Sequence, residues 1–121
     1  MTESIPVTVV SLGPFLKKAR SIGLSENEIQ DIETEIAYFP VDGDVIEGAG
    51  GIRKRRIVIP GRNKGKSGGG RVFTLFIHAQ TCVYIIAMLD KSDMGNLSKA
   101  QVNDLAVLAE SLKFAQRRII Q

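Results

Sequence analysis

The run Cys82–Leu89, CVYIIAML, consists of eight residues, all of them apolar or aromatic. It is too short to cross a membrane as a helix, and its β-branched and aromatic content favours a strand. A half-exposed strand would alternate apolar and polar residues, and this one has no polar face. It must lie inside a sheet with both faces covered. A chain containing such a strand is obliged to supply packing layers on both sides of it.

The rest of the sequence offers the pieces. PVTVV (Pro6–Val10) is rich in β-branched residues and predicts a first strand. Pro14 favours the first turn of a helix carrying Phe15, Leu16, Ala19 and Ile22, with Gly23 as its stop. A second helix begins at Ser25. Ser25 with Glu28 makes a capping box, Leu24 with Ile29 makes a hydrophobic staple, and Ile29, Ile32 and Ile36 form the buried stripe. FPVDGDVIEGAGG is turn-rich and closes the helical half. Strands are expected near Ile52–Ile59, ended by Pro60-Gly61, near Arg71–His78, and at Cys82–Leu89. Their connectors suit hairpins, so this part of the sheet should be antiparallel. Ser98 with Gln101, and Leu97 with Val102, repeat the box and the staple at the start of a last helix striped by Val102, Leu105, Ala109 and Leu112. The predicted order is β-α-α-β-β-β-α, an α+β fold with a small, mainly antiparallel sheet.

The 121 residues suit one domain spanning 1–121, large enough to bury a core without staples. The one cysteine, Cys82, permits no intrachain disulfide, which fits a reducing compartment. The start, MTESIPVTVVSLGP, lacks the basic flank of a signal peptide, and charges interrupt the apolar runs before membrane-spanning length. A soluble, cytoplasmic protein with no membrane contact is expected.

Charge is distributed unevenly. The window Gly48–Phe73 holds eight of the 16 Lys and Arg residues and no acid: Arg53, Lys54, Arg55, Arg56, Arg62, Lys64, Lys66 and Arg71. Residues 1–48 carry nine acids against three bases, whereas residues 49–89 carry those eight bases alone. A formal net charge of +3 therefore conceals a localised cationic face suited to a polyanion.

Strand geometry decides which of these charges cooperate. Side chains alternate faces, so Lys54 and Arg56 share one face and Arg53 and Arg55 the other. Arg71, entering the neighbouring strand, can oppose the first pair. Three cations on one sheet face repel one another unless an anion lies between them, and an RNA phosphate is a natural occupant. RNA carries its own nucleophile, the 2′-hydroxyl. Cleavage requires that it be aligned, that its proton be accepted, and that charge on the phosphorus and the leaving oxygen be stabilised. Basic residues can do this without a metal or cofactor, and neither is expected. The plain alternative is a charged strand that coats RNA or is simply solvated.

Other motifs carry less. GRNKGKSGGG contains Gly-Lys-Ser, but Gly61 is one residue too near for a phosphate-binding P-loop and a strand, not a helix, follows. It reads as a hairpin loop whose Lys64 and Lys66 can touch RNA backbone. His78 has no metal-binding company, and Cys82 reads as core. The acids from Glu26 to Glu35 read as a solvated helix face. The basic window holds one aromatic, Phe73, too few for a base-stacking platform.

The block GDVIEGAGGIRKRRIVIPGRNKGKSGGGRVF resembles the RelE/ParE superfamily of bacterial toxins, in particular its RelE/HigB-like branch. Members carry a pattern like G-D-x-I-x-G-x-G-G-x-R-K-x-R, then P-G, then G-x-R. FLKKARSIGLSENEIQDIETEIAYFP upstream and YIIAMLDKSDMGNLSKAQ downstream are also similar to that branch, so the resemblance spans about residues 15–108. It implies a RelE-like fold and a toxin of a type II toxin–antitoxin system that cuts mRNA in the ribosomal decoding site. It implies a cognate antitoxin, expected to be a helix-turn-helix protein encoded next door, that covers or distorts the basic site. A homodimer or a toxin–antitoxin hetero-oligomer is compatible with it. Carried over by position, Lys54, Arg56 and Arg71 become the catalytic set, with Arg71 stabilising the transition state. Lys91 becomes a substrate-side contact, and Arg53, Arg55, Arg62, Lys64 and Lys66 become contacts to RNA or ribosome.

Three positions depart from the branch. Arg55 stands where an apolar residue is usual, Gly70 where an aromatic often precedes the loop arginine, and Leu89 where a tyrosine usually sits two residues before the final lysine. The same fold also serves relatives that poison DNA gyrase and cleave nothing. A non-enzymatic binder, either gyrase-poisoning or an inactive RNA-binding relative, is the alternative reading.

Overall fold

The run Cys82–Leu89 forms a strand over its whole expected length and lies between two other strands. The computed structural model describes residues 5–58, 69–89 and 97–120. In chain order these form β1 (Thr8–Ser11), α1 (Gly13–Ser21), α2 (Glu26–Tyr38), β2 (Asp44–Val45), β3 (Arg53–Ile57), β4 (Gly70–Ile77), β5 (Cys82–Leu89) and α3 (Lys99–Ile120). The five strands make one sheet in the order β1-β5-β4-β3-β2. β5, β4, β3 and β2 are joined antiparallel, and β1 runs parallel to β5.

Both faces of β5 are covered, as its composition requires. Val83, Ile85 and Met88 pack with Phe15 and Ala19 of α1 and with Ile29, Ile32 and Ile36 of α2. Cys82, Tyr84 and Ile86 pack on the other side with Ala109 of α3, beside half-buried Leu105, Leu108 and Leu112. One irregularity adjusts the strand to these two layers. Phe73 pairs with Ala87 while Thr74 pairs with Ile85, so Ile86 is an extra residue. This bulge lets Ile86 and Ala87 both join the α3 side, returns Met88 to the α1–α2 side, and sends Leu89 back to the α3 side.

The helix starts follow their local signals. Ser25 accepts the Glu28 backbone N–H at 3.1 Å, and the Glu28 carboxylate accepts the Ser25 N–H at 2.8 Å. Ser98 and Gln101 repeat the arrangement with 3.1 and 2.8 Å. At α1 no side chain caps the end, and Pro14 occupies the first turn instead. No helix among the described residues is long and apolar enough to cross a membrane.

The structure differs from expectation at three edges. The first strand begins at Thr8 rather than Pro6, because Pro6 has no N–H to donate and Val7 donates instead to Ala37 at the end of α2, 2.9 Å away. β2 is a two-residue strand with no signal of its own. β3 ends at Ile57, Ile59 lies outside the described residues, and His78 opens a single 3-10 turn instead of closing β4.

Two substitutions test this account. Ser25→Ala removes a cap and is expected to cost about 1 kcal/mol. Ile85→Ala opens a void beneath both α1 and α2 and is expected to cost about 2–5 kcal/mol. Urea denaturation measures both, and a cap loss as large as the core loss would contradict the description of the core.

Candidate nucleic-acid interface

β3 reads Arg-Lys-Arg-Arg-Ile, and only its last residue is apolar. Ile57 belongs to the core on the α1–α2 side. Alternation then places Arg53 and Arg55 on that side and Lys54 and Arg56 on the α3 side. Directly opposed residues of antiparallel strands share a face. Arg56 is opposite Arg71, Lys54 is opposite Phe73, and on its other edge Lys54 is opposite Asp44. Lys54, Arg56 and Arg71 thus converge, and together with Glu35, Asp42, Gly43, Asp44 and Arg55 they line a cavity of about 390 Å³. β2 pairs only with Arg53 and Lys54. The outer edge of β3 beyond Lys54 has no strand partner among the described residues.

The three converging cations have no ion-pair partner among the described residues. Arg20–Glu26, Arg55–Glu35, Arg55–Asp42 and Lys113–Glu110 form ion pairs, and no ion pair among the described residues includes Lys54, Arg56 or Arg71. Among the described residues Arg71 makes one long side-chain hydrogen bond, from Nη1 to the Gly70 carbonyl at 3.4 Å. Like charges set directly opposite across two strands destabilise the pair, so the Arg56–Arg71 row favours an anion between its guanidinium groups.

Arg55, expected as an RNA contact, is committed elsewhere, and half-buried Arg53 shares part of that task. Arg55 is 3% exposed, although its position suits an apolar residue. Its Nη1 donates to the Phe39 carbonyl at 2.6 Å, and Nη2 lies 3.4 Å from Glu35 and 3.8 Å from Asp42. Its Nε has no partner among the described residues. Arg53 Nη1 donates to the Gly43 carbonyl at 3.0 Å. The two arginines clamp the turn from Phe39 to Gly43, and a buried guanidinium held this way is not free for an RNA phosphate. Gly43 is required at the tip of that turn. Its φ is +104°, and an added Cβ would stand 2.6 Å from Cβ of Arg55.

The clamped turn brings acids to the cavity that the sequence did not reveal. Glu35 reads as one more solvated residue of an acidic helix, and Asp42 and Asp44 read as turn formers. Asp42 and Asp44 flank Gly43 at the two-residue spacing of a strand, a signal too brief to act on. Arg62, Lys64, Lys66 and Lys91, and most of the Gly-Lys-Ser loop, lie outside the described residues.

The remaining candidates are remote from this chemistry. His78 follows the far end of β4, about 20 Å along the strand from Arg71 at the usual rise, with its ring 4.4 Å from Phe76. Cys82 is buried in the core, and burial pushes its thiol pKa up, away from the reactive thiolate. Gln116 of α3 meets it at 3.6 Å and donates to the Tyr84 hydroxyl at 2.8 Å.

A family model described as the RelE toxin of the RelE / RelB toxin-antitoxin system matches residues 10–121. The chain belongs to the RelE toxin family. It is accordingly a toxin-family protein of a toxin–antitoxin system, and that membership implies an antitoxin partner. A mutant of the E. coli toxin RelE, solved in the free state, is similar in structure with a TM-score of 0.52 and 16% sequence identity. The match covers 85% of this chain and 96% of that one. At that identity the likeness establishes the fold, the expected RelE-like α+β arrangement with two N-terminal helices and a C-terminal one. Within the RelE framework, the apolar position between the Lys and Arg of β3 is the one that Arg55 fills on the α2 side. The usual tyrosine position is Leu89, directly opposite Arg71.

The opposite roles of neighbouring arginines give a direct test. Arg55→Ala leaves the Phe39 carbonyl and the turn unsupported and is expected to cost about 2 kcal/mol. Arg56→Ala relieves repulsion across the row and is expected to be neutral within about 0.5 kcal/mol, or slightly stabilising. Denaturant midpoints of the two variants check this, and equal losses would contradict the assignment of faces.

Proposed function

We propose that this RelE-family chain is a ribosome-dependent mRNA endonuclease that uses the 2′-hydroxyl of its substrate and inhibits translation. The observation that carries the reading is the convergence of Lys54, Arg56 and Arg71, unpaired with any acid among the described residues, on one cavity. A phosphodiester seated there meets two guanidinium forks and one ammonium. Arginine stays protonated, so Arg56 and Arg71 hold and stabilise the phosphate while proton traffic falls to Lys54. The 2′-oxygen bonds to phosphorus as the bond from phosphorus to the 5′-oxygen breaks. The 2′-hydroxyl gives up its proton and the departing 5′-oxygen gains one, leaving a 2′,3′-cyclic phosphate and a 5′-hydroxyl. Charge on the pentacoordinate phosphorus peaks midway, where Arg71 contributes most. No cofactor enters this scheme.

The ribosome enters as the holder of the message. Among the described residues the aromatic in these rows is Phe73, which is buried and offers no stacking surface, so the chain gains from RNA that is already ordered. Arg62, Lys64, Lys66 and Lys91 are proposed as contacts to RNA or ribosome backbone. The partner is proposed to be a helix-turn-helix antitoxin that covers or distorts the basic cavity, and the compartment the cytoplasm. The rival is a non-enzymatic binder, such as a gyrase poison, and Leu89 beside Arg71 in place of an aromatic favours it.

Induced expression followed by mapping of new message ends separates the two. Arg71→Ala is expected to lower cleavage by about 10²-fold or more, the usual cost of removing one stabiliser of transition-state charge, with the fold intact by circular dichroism. Undiminished cleavage in that variant refutes the role of Arg71. Growth arrest with DNA-damage signalling and no new message ends establishes the rival.

A further inference from the structure

Cleavage through the 2′-hydroxyl moves two protons, one off that hydroxyl and one onto the 5′-oxygen. One lysine cannot serve both at the same moment, because an ammonium has protons to give and no lone pair to take one with. Arginine is no acceptor either. The acceptor has to come from the acids that line the same cavity, Glu35, Asp42 and Asp44. Position separates the three. Glu35 and Asp42 lie 3.4 and 3.8 Å from Nη2 of Arg55 and are drawn to the α2 side. Asp44 stands opposite Lys54 in the β2–β3 register, so it shares the α3 side with the unpaired cations.

The Asp44 side chain is exposed and makes no ion pair or side-chain hydrogen bond among the described residues. Its backbone is held from both sides. The Gly43 carbonyl before it accepts from Arg53 Nη1 at 3.0 Å, and the Ile46 N–H after it donates to the Ile52 carbonyl at 2.9 Å. Beyond the Asp44–Lys54 row the trough runs into a hollow whose further lining, Val45, Ile46, Leu97 and Val102, is apolar. A phosphate therefore belongs at Arg56 and Arg71, directly opposed one row away. Diagonal neighbours across antiparallel strands lie about 7–8 Å apart, a gap that a phosphate and the ribose hydroxyl beside it can span from Arg56 to Asp44. The geometry points to Asp44 as the general base of the cleavage and to Lys54, opposite it, as the general acid. This assignment rests on the nuclease reading and supplies that reading with its missing acceptor. The 2′-hydroxyl gives its proton to a carboxylate oxygen of Asp44 as the 2′-oxygen bonds to phosphorus. The bond from phosphorus to the 5′-oxygen breaks with its electron pair on oxygen, which takes a proton from Nζ of Lys54. Asp44 is left protonated and Lys54 neutral, and passage of one proton across their shared row restores both.

The purified full chain, programmed ribosomes and a message whose cut site the wild type has defined provide the test. Asp44→Asn keeps the shape of the side chain and removes its basicity. Single-turnover cleavage is expected to fall about 10²-fold or more, the usual contribution of a positioned acid or base. Binding of the same message with 2′-deoxyribose at the cut is expected to be as tight as in the wild type or tighter, because the lost carboxylate repels phosphate. Undiminished cleavage, or a loss of binding that matches the loss of cleavage, overturns the role of Asp44 and leaves the nuclease standing. A 5′-thio leaving group at the cut departs without a proton and so separates acid from base. It is expected to restore cleavage by Lys54→Ala and not by Asp44→Asn. Restoration of Asp44→Asn overturns the assignment. A wild type that leaves the message whole sinks the nuclease reading, and the base with it.

Discussion

Four of the five residues of β3 are cationic, and a strand of that composition has little of its own to hold it in a sheet. The hydrogen bond from the buried Arg55 to the Phe39 carbonyl, 2.6 Å long, supplies the anchor. It consumes the charge that would otherwise be hardest to place, buries the stem of the side chain against α2, and fixes which residues of β3 face the other way. A one-residue slip would turn every side chain over. The Arg55 clamp and the buried Ile57 together make that slip costly, and the positions of Lys54 and Arg56 follow from them.

The same clamp sets the electrostatics of the cavity. Glu35 and Asp42 are more than half exposed, so their attraction to Arg55 is weakened by water. The buried donor and the short bond to a backbone carbonyl do more of the holding than the ion pairs do. What the pairs accomplish is to draw two acids toward Arg55 and leave the other three cations without acidic partners among the described residues. The sheet thereby sorts charge, with Arg55 paired toward α2 and Lys54, Arg56 and Arg71 toward α3 unpaired among the described residues. Asp44 is the exception on the free side, an acid placed opposite a lysine in register but not ion-paired with it. It divides the trough into a part that favours an anion and a part that does not.

How much of this was legible depended on the range of the interaction involved. Capping boxes at Ser25 and Ser98 involve residues three apart, and both formed as read. Cys82–Leu89 declared its own burial because no register could expose a polar face. The pairing of Lys54 with Arg56, and the approach of Arg71, followed from alternation along strands that a hairpin must join. Arg55 was misjudged for a definite reason. Charge is a property of the residue, but its availability depends on a carbonyl 16 positions upstream, at the end of a helix. The acids of the cavity escaped notice for the same reason, since Glu35, Asp42 and Asp44 belong to the site only through the turn that Arg53 and Arg55 hold. β2, two residues long, is a strand only because β3 lies beside it.

The sequence by itself determined every element but β2, the α+β class and the concentration of positive charge on one hairpin. Each of these is written in neighbours along the chain, in periodicity, caps and composition. Tertiary structure alone decided which cations are free and which are spent, that β1 joins β5 in parallel, and that acids from α2 and β2 border a basic cavity. Those outcomes rest on hydrogen bonds and burial between residues distant in sequence. Such contacts exist only after the helices have been laid across the sheet.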